Sequence, residues 1–146
     1  PFYNMEDGSV MTVFRYKEQH QSYPGRVHGG MITAMLDEMG LRSLWAKELS
    51  EETFGVTISL DTKYRKPVPY ETELIGRGVV VKNTSHFIIT DSYIMDKDGE
   101  ILANGRIKYI KMDTQKIQEG VEVHEEMPYL VEDGRTEIEG PFFDNL

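Results

Sequence analysis

The stretch Tyr23 to Gly40, "YPGRVHGGMITAMLDEMG", places His28, Gly29 and Gly30 at the start of an apolar periodic run and Asp37 inside it. A helix start leaves its first backbone N–H groups without intrahelical partners and carries the positive end of the dipole. Glycines there have no Cβ to keep a ligand oxygen away, so Gly29 and Gly30 form a ready oxyanion site with His28 beside it. Asp37 is a carboxylate among Met, Leu and Ala, a costly placement unless something uses it. It lies two turns along, a little more than about 10 Å of rise from the helix start, too far to meet the same atom from the same helix. A symmetric dimer solves this by bringing Asp37 of one subunit opposite the Gly29 end of the other.

Local patterns supply the elements that must hold these groups. From Gly29 to about Lys47, Ile32, Met35, Leu36, Met39 and Leu44 keep helical spacing, and Ala34, Leu41 and Trp45 widen the stripe until little of the helix is left for solvent. Met31, Met35 and Met39 fall on one line as core or interface packing, with an adaptable acyl tunnel as the other reading. Residues 9–19 read as a strand and 22–25 as a turn. After the helix the period becomes two: 54–64, 72–83, 86–96 and 101–112 read as strands. In the first of them Val56, Ile58 and Leu60 share one face, opposite Thr57, Ser59 and Asp61. Asp98-Gly99 marks a tight hairpin. "DKDGE" is at most a faint calcium loop, since later ligand positions and flanking helices are missing. One strand, one long buried helix and about four strands able to form an antiparallel meander make an α+β fold.

Composition narrows the function. The 146 residues suit one domain, and there is no cysteine, which removes disulfides, thiolate metal sites and cysteine nucleophiles. Of the formal charge of -9, the segment from Asp113 to Leu146 carries -8 and the body -1. The expected division is therefore a domain over 1–112 and an acidic extension over 113–146, whose Phe142 and Phe143 are candidate anchors over a pocket. A near-neutral body has no broad basic face for nucleic acid. No run approaches a membrane span and no leader pattern opens the chain, so a soluble cytoplasmic protein is expected.

The pattern "HGGMITAMLDE", followed by "GVTISLDTKYRKPV", resembles hotdog-fold thioesterases of the PaaI type, which hydrolyse acyl-coenzyme A. The likeness runs over about residues 9–112. It implies a long central helix wrapped by a curled antiparallel sheet, assembled as a homodimer or a dimer of dimers, with no cofactor beyond the coenzyme A of the substrate. Carried over by residue, it makes the Gly29 amide the oxyanion donor with His28 alongside, Asp37 of the facing subunit the general base or the nucleophile, and Thr57 a hydroxyl that helps place water. Some members carry Asn six residues before the His; Ser22 stands there, with Gln21 adjacent as its substitute. Glu38, about 100° around the helix from Asp37, is open as a salt-bridge partner, an accessory acid or the acting carboxylate, and the gapless match favours Asp37.

Coenzyme A brings phosphates, for which Arg65, Lys66, Lys82 and Arg106, with Lys108, are the candidate partners. His20, His86 and His124 have no metal-ligand spacing, and no metal is expected. Two alternatives to the thioesterase stand. One is an acyl-CoA-binding module without catalysis. The other is a hydratase or dehydratase on acyl-CoA or acyl-carrier protein; His20 before "SYPG" suits it, but Ala34 stands where its acid would be needed.

Overall fold

The computed structural model describes residues 1–46 and 53–113. Its one long helix, α1 (Gly29–Ala46), begins where the sequence signals it. The His28 carbonyl accepts from the Met31 and Ile32 N–H groups, and His28 Nδ1 accepts from the Gly30 N–H at 2.9 Å, so histidine caps its own helix. The strands are β1 (Tyr3–Asn4), β2 (Val10–Phe14), β3 (Thr53–Tyr64), β4 (Leu74–Asn83), β5 (Phe87–Met95) and β6 (Ile101–Asp113), with a 3-10 turn at Glu18–His20. All pair antiparallel in one open sheet of order β1-β2-β4-β5-β6-β3. One helix on an open antiparallel sheet is the α+β hotdog architecture.

Two expectations need correction. The meander covers only β4, β5 and β6; β3 crosses to the far edge and pairs with β6 from Thr53↔Asp113 to Tyr64↔Ala103. Between β3 and β4 stands Lys66-Pro-Val-Pro-Tyr70, whose prolines supply no N–H, so the chain leaves the sheet there instead of turning back as a hairpin. The second correction concerns the faces of β3. A register shift between Thr57 and Ser59 inserts an extra residue. Gly55 and Thr57 face α1 before it, and Leu60, Thr62 and Tyr64 face α1 after it. Val56 and Ile58 therefore point out, 40% and 53% exposed.

Between helix and sheet lie two apolar clusters, one around Leu36, Ile32, Leu74 and Ile94, the other around Leu44, Ile88, Ile107 and Tyr109. Glycine sets their depth. A Cβ on Gly78 would run into the Met39 carbonyl, so β4 meets the helix backbone directly. On the other face, Met11, Ile75 and Met95 are covered by Met5, Tyr93 and Ile101. The helix is less enclosed than its composition predicts: Gly30, Met31 and Ala34 are exposed, whereas Met35 is half-buried and Met39 fully buried. "DKDGE" is a turn in which Asp96 Oδ1 accepts the N–H groups of Asp98 and Glu100, with Gly99 at φ 84°. Apart from Asp113 at the end of β6, the acidic extension with Phe142 and Phe143 lies outside the described residues.

Candidate active site

Two hydroxyls converge on Asp37, one from each of two neighbouring strands. Thr57 on β3 and Tyr109 on β6 are paired in register, and both face α1. Thr57 Oγ1 donates to the Asp37 carboxylate, 3.0 Å from Oδ1 and 3.3 Å from Oδ2. Tyr109 Oη donates to the Asp37 carbonyl at 2.9 Å and lies 3.1 Å from Oδ1. Burial pushes the Tyr109 phenol far up from its ordinary value, and the Asp37 charge and hydrogen bond push it further. It stays protonated and donates toward Asp37. Asp37 itself is half-buried, on the side of the helix next to β3, the last strand of the sheet among the described residues.

Glu38 takes one of its three open roles: it pairs with Arg42 at 2.5 Å, and the Arg42 guanidinium lies 4.7 Å from the centroids of both Phe2 and Trp45. At the helix start, Tyr64 Oη donates to the Gly29 carbonyl at 3.0 Å and shares a hydrogen bond with Thr33 Oγ1 at 2.7 Å. The Gly30 N–H is committed to His28. The Gly29 N–H has no acceptor among the described residues, which leaves it as the amide free to polarise an incoming oxygen.

A cavity of about 500 Å³ opens at this helix start, lined by Ser22, Arg26, Gly29, Tyr64, Arg65 and Lys66 among others. Arg65 is held by Asn104 Oδ1 at 2.6 Å and Lys66 by Glu100. So the structure brings Gly29, Ser22, Arg65 and Lys66 together. Gln21 is exposed and spends its backbone on a bridge to Val27. Arg106 stands on the outer sheet face in a two-point pair with Asp91, both contacts 2.7 Å. Lys82 and Lys108 sit over the Phe87 ring, also away from the cavity. His20 is occupied structurally: its Nδ1 accepts the Lys17 N–H at 2.9 Å and its ring meets Tyr16 edge-on.

Three contributors escaped the sequence reading. Arg26 reads as part of the turn, although a guanidinium two residues before His28 falls beside the helix start and lines the cavity. Tyr64 closes a strand, and its spacing gave no hint of a bond to Gly29. Tyr109 comes 72 residues after Asp37, and only the register of β6 with β3 brings them together.

Comparison with known proteins agrees with this fold. Residues 24–103 match the model of the thioesterase superfamily. Human acyl-coenzyme A thioesterase 13 is 23% identical over 100 residues, covering 68% of this chain and 70% of that protein. A solved thioesterase superfamily protein superposes with a TM-score of 0.68 at 25% identity over 74% of this chain, which spans only 54% of that one. A hypothetical thioesterase protein from Streptococcus pneumoniae, solved with coenzyme A, has the same fold at TM-score 0.68 and 19% identity, covering 77% of this chain and 85% of that one. The matched residues take in the turn, the Gly29 helix start, Asp37 and Thr57, and over them this chain belongs to the thioesterase superfamily.

Proposed function

We propose that the protein is an acyl-coenzyme A thioesterase, hydrolysing a thioester to a free acid and the coenzyme A thiol in a site shared by two copies of the chain. The observation that carries the reading is the hydroxyl-clamped carboxylate of Asp37 beside the edge strand β3, with a Gly29 amide at the helix start that has no acceptor among the described residues. The relative named an acyl-coenzyme A thioesterase and the neighbour solved with coenzyme A support the substrate class.

In this reading the thioester carbonyl of one copy's ligand lies against the Gly29 N–H, whose partial positive charge favours the developing oxyanion. His28 holds the helix start in shape, because its ring accepts the neighbouring Gly30 amide. Asp37 of the other copy takes a proton from water as the water oxygen bonds to the carbonyl carbon. The tetrahedral intermediate then collapses, the carbon–sulfur bond breaks, and the sulfur leaves as thiolate to be protonated. If Asp37 attacks directly, the first product is an acyl anhydride that water cleaves. Thr57 orients the carboxylate in either course. Arg26, Arg65 and Lys66 give the cavity mouth positive charge for the phosphates.

The test is thiol release from acetyl-, hexanoyl-, palmitoyl- and benzoyl-coenzyme A by the wild type and Asp37→Asn. The expected outcome is hydrolysis of at least one ester that falls about a hundred- to ten-thousandfold in the variant, with association and melting unchanged. Equal rates in the two proteins would overturn the role of Asp37.

A further inference from the structure

We infer that Tyr109 is a positioning residue for the Asp37 carboxylate, its hydroxyl reaching that group through a gap that Gly40 leaves in the helix. The inference rests on Asp37 being the acting carboxylate. Tyr109 is fully buried, and its single proton faces two acceptors of the same residue, the Asp37 carbonyl at 2.9 Å and Oδ1 at 3.1 Å. A donor shared between a side chain and its own backbone fixes that side chain's torsions. Thr57 approaches the same carboxylate from β3 and is closer to Oδ1 than to Oδ2. With Oδ1 held from two sides, Oδ2 is the oxygen left to work.

The surroundings of the phenol fit this role better than they fit packing. A Cβ on Gly40 would collide with Tyr109 Oη and lie 2.6 Å from Thr90 Oγ1, so only glycine lets the hydroxyl approach the helix. Thr90 and Ser92 are fully buried there, their hydroxyls gathered beside the phenol. Three hydroxyls and a helical glycine gather where a Leu or Phe would fill the space at lower cost. Nothing in the core needs that polarity, whereas a carboxylate held in one orientation does.

The experiment compares wild type, Tyr109→Phe, Asp37→Asn and the double variant on the same four acyl-coenzyme A esters. Phe keeps the ring and removes one oxygen, so the fold is expected to persist, as read by thermal melting and sedimentation. Expected is a kcat lower by about a hundredfold, the scale of an ångström of misplacement, with KM within about twofold. In the Asp37→Asn background the same change should cost nothing further, since the group it orients is gone. Should Tyr109→Phe not fold, Gly40→Ala, whose methyl group displaces the Tyr109 hydroxyl without removing it, gives the same split between kcat and KM and the same loss of effect in the Asp37→Asn background. An unchanged kcat, or equal losses with and without Asp37, would overturn the inference and leave the thioesterase reading standing. Undiminished hydrolysis by Asp37→Asn would instead remove the premise.

Discussion

Asp7 illustrates how one carboxylate is held by what it touches. Its Oδ1 accepts the Ser9 N–H at 2.9 Å and the Ser9 hydroxyl at 2.6 Å, while Oδ2 meets Arg77 at 2.8 Å. Arg77 lies nearly buried on the outer face of β4, so Asp7 also neutralises a charge that the sheet encloses. The Ser9 hydroxyl, then the Ser9 amide and Arg77, hold its carboxyl below the ordinary 3.8, against the opposing effect of burial. A carboxylate depressed in the folded state stabilises above its unfolded value and loses that contribution as pH falls through the folded one. Asp7→Asn should therefore lower the Tm at pH 7, and the gap to wild type should close as pH falls below 3.8. Melting curves at pH 7, 5 and 3 check this; a gap as wide at pH 3 as at pH 7 would contradict it. Charge complementarity at this corner was not legible in advance, since Asp7 and Arg77 are 70 residues apart.

At the scale of elements, the legible part was what neighbouring residues decide. The helix start, its glycines and the eight-residue step to Asp37 lie in one contiguous stretch, and the four strands after the helix end within two residues of where turns and alternation place them, whereas the strand expected over 9–19 stops at Phe14 and gives way to the turn at Glu18–His20. What adjacency cannot convey is register. The extra residue in β3 turned Val56 and Ile58 outward, and the pairing of β3 with β6 added Tyr109 to Asp37. Gly40 belongs to this scale because it serves a helix–sheet contact. Glycine inside a helix costs about 1 kcal/mol relative to alanine, so Gly40→Ala would stabilise a free helix. Here it should destabilise by about 1–3 kcal/mol, the usual cost of overfilling a packed interior, and should lower kcat by displacing the Tyr109 hydroxyl. Chemical denaturation and thiol release on the same preparation measure both effects.

For the whole molecule, the telling feature is what one copy leaves uncovered. Among the described residues β3 ends the sheet with its outer edge unpaired, and Val56 and Ile58 on its outward face and Met31 on the helix stand exposed. A long free edge with apolar neighbours invites pairing with another chain. The near-neutral body puts little charge in the way, because most of the -9 belongs to the segment from Asp113 onward. Under the shared-site reading, Ile58→Lys should leave the isolated fold intact, since that side chain touches no core cluster. It should weaken self-association and lower specific activity by about tenfold for each 1.4 kcal/mol lost at the interface. Sedimentation and activity measured across a dilution series test this; full activity in a purely monomeric variant would refute a site built from two copies.

The extra residue in β3 also gives the strand two reading frames. Upstream of Ile58, odd-numbered positions face the helix and serve the carboxylate; downstream, even-numbered positions do so and serve the core and the helix start. A mutation that changes a letter on one side leaves the other side's phase alone, so the catalytic and structural halves of one strand are free to diverge separately. Losing a single letter between them is a different matter. Deleting Ile58 would restore an unbroken alternation, and either Thr57 would swing away from Asp37 or Leu60, Thr62 and Tyr64 would leave the interior together. In this strand, length is under tighter constraint than identity.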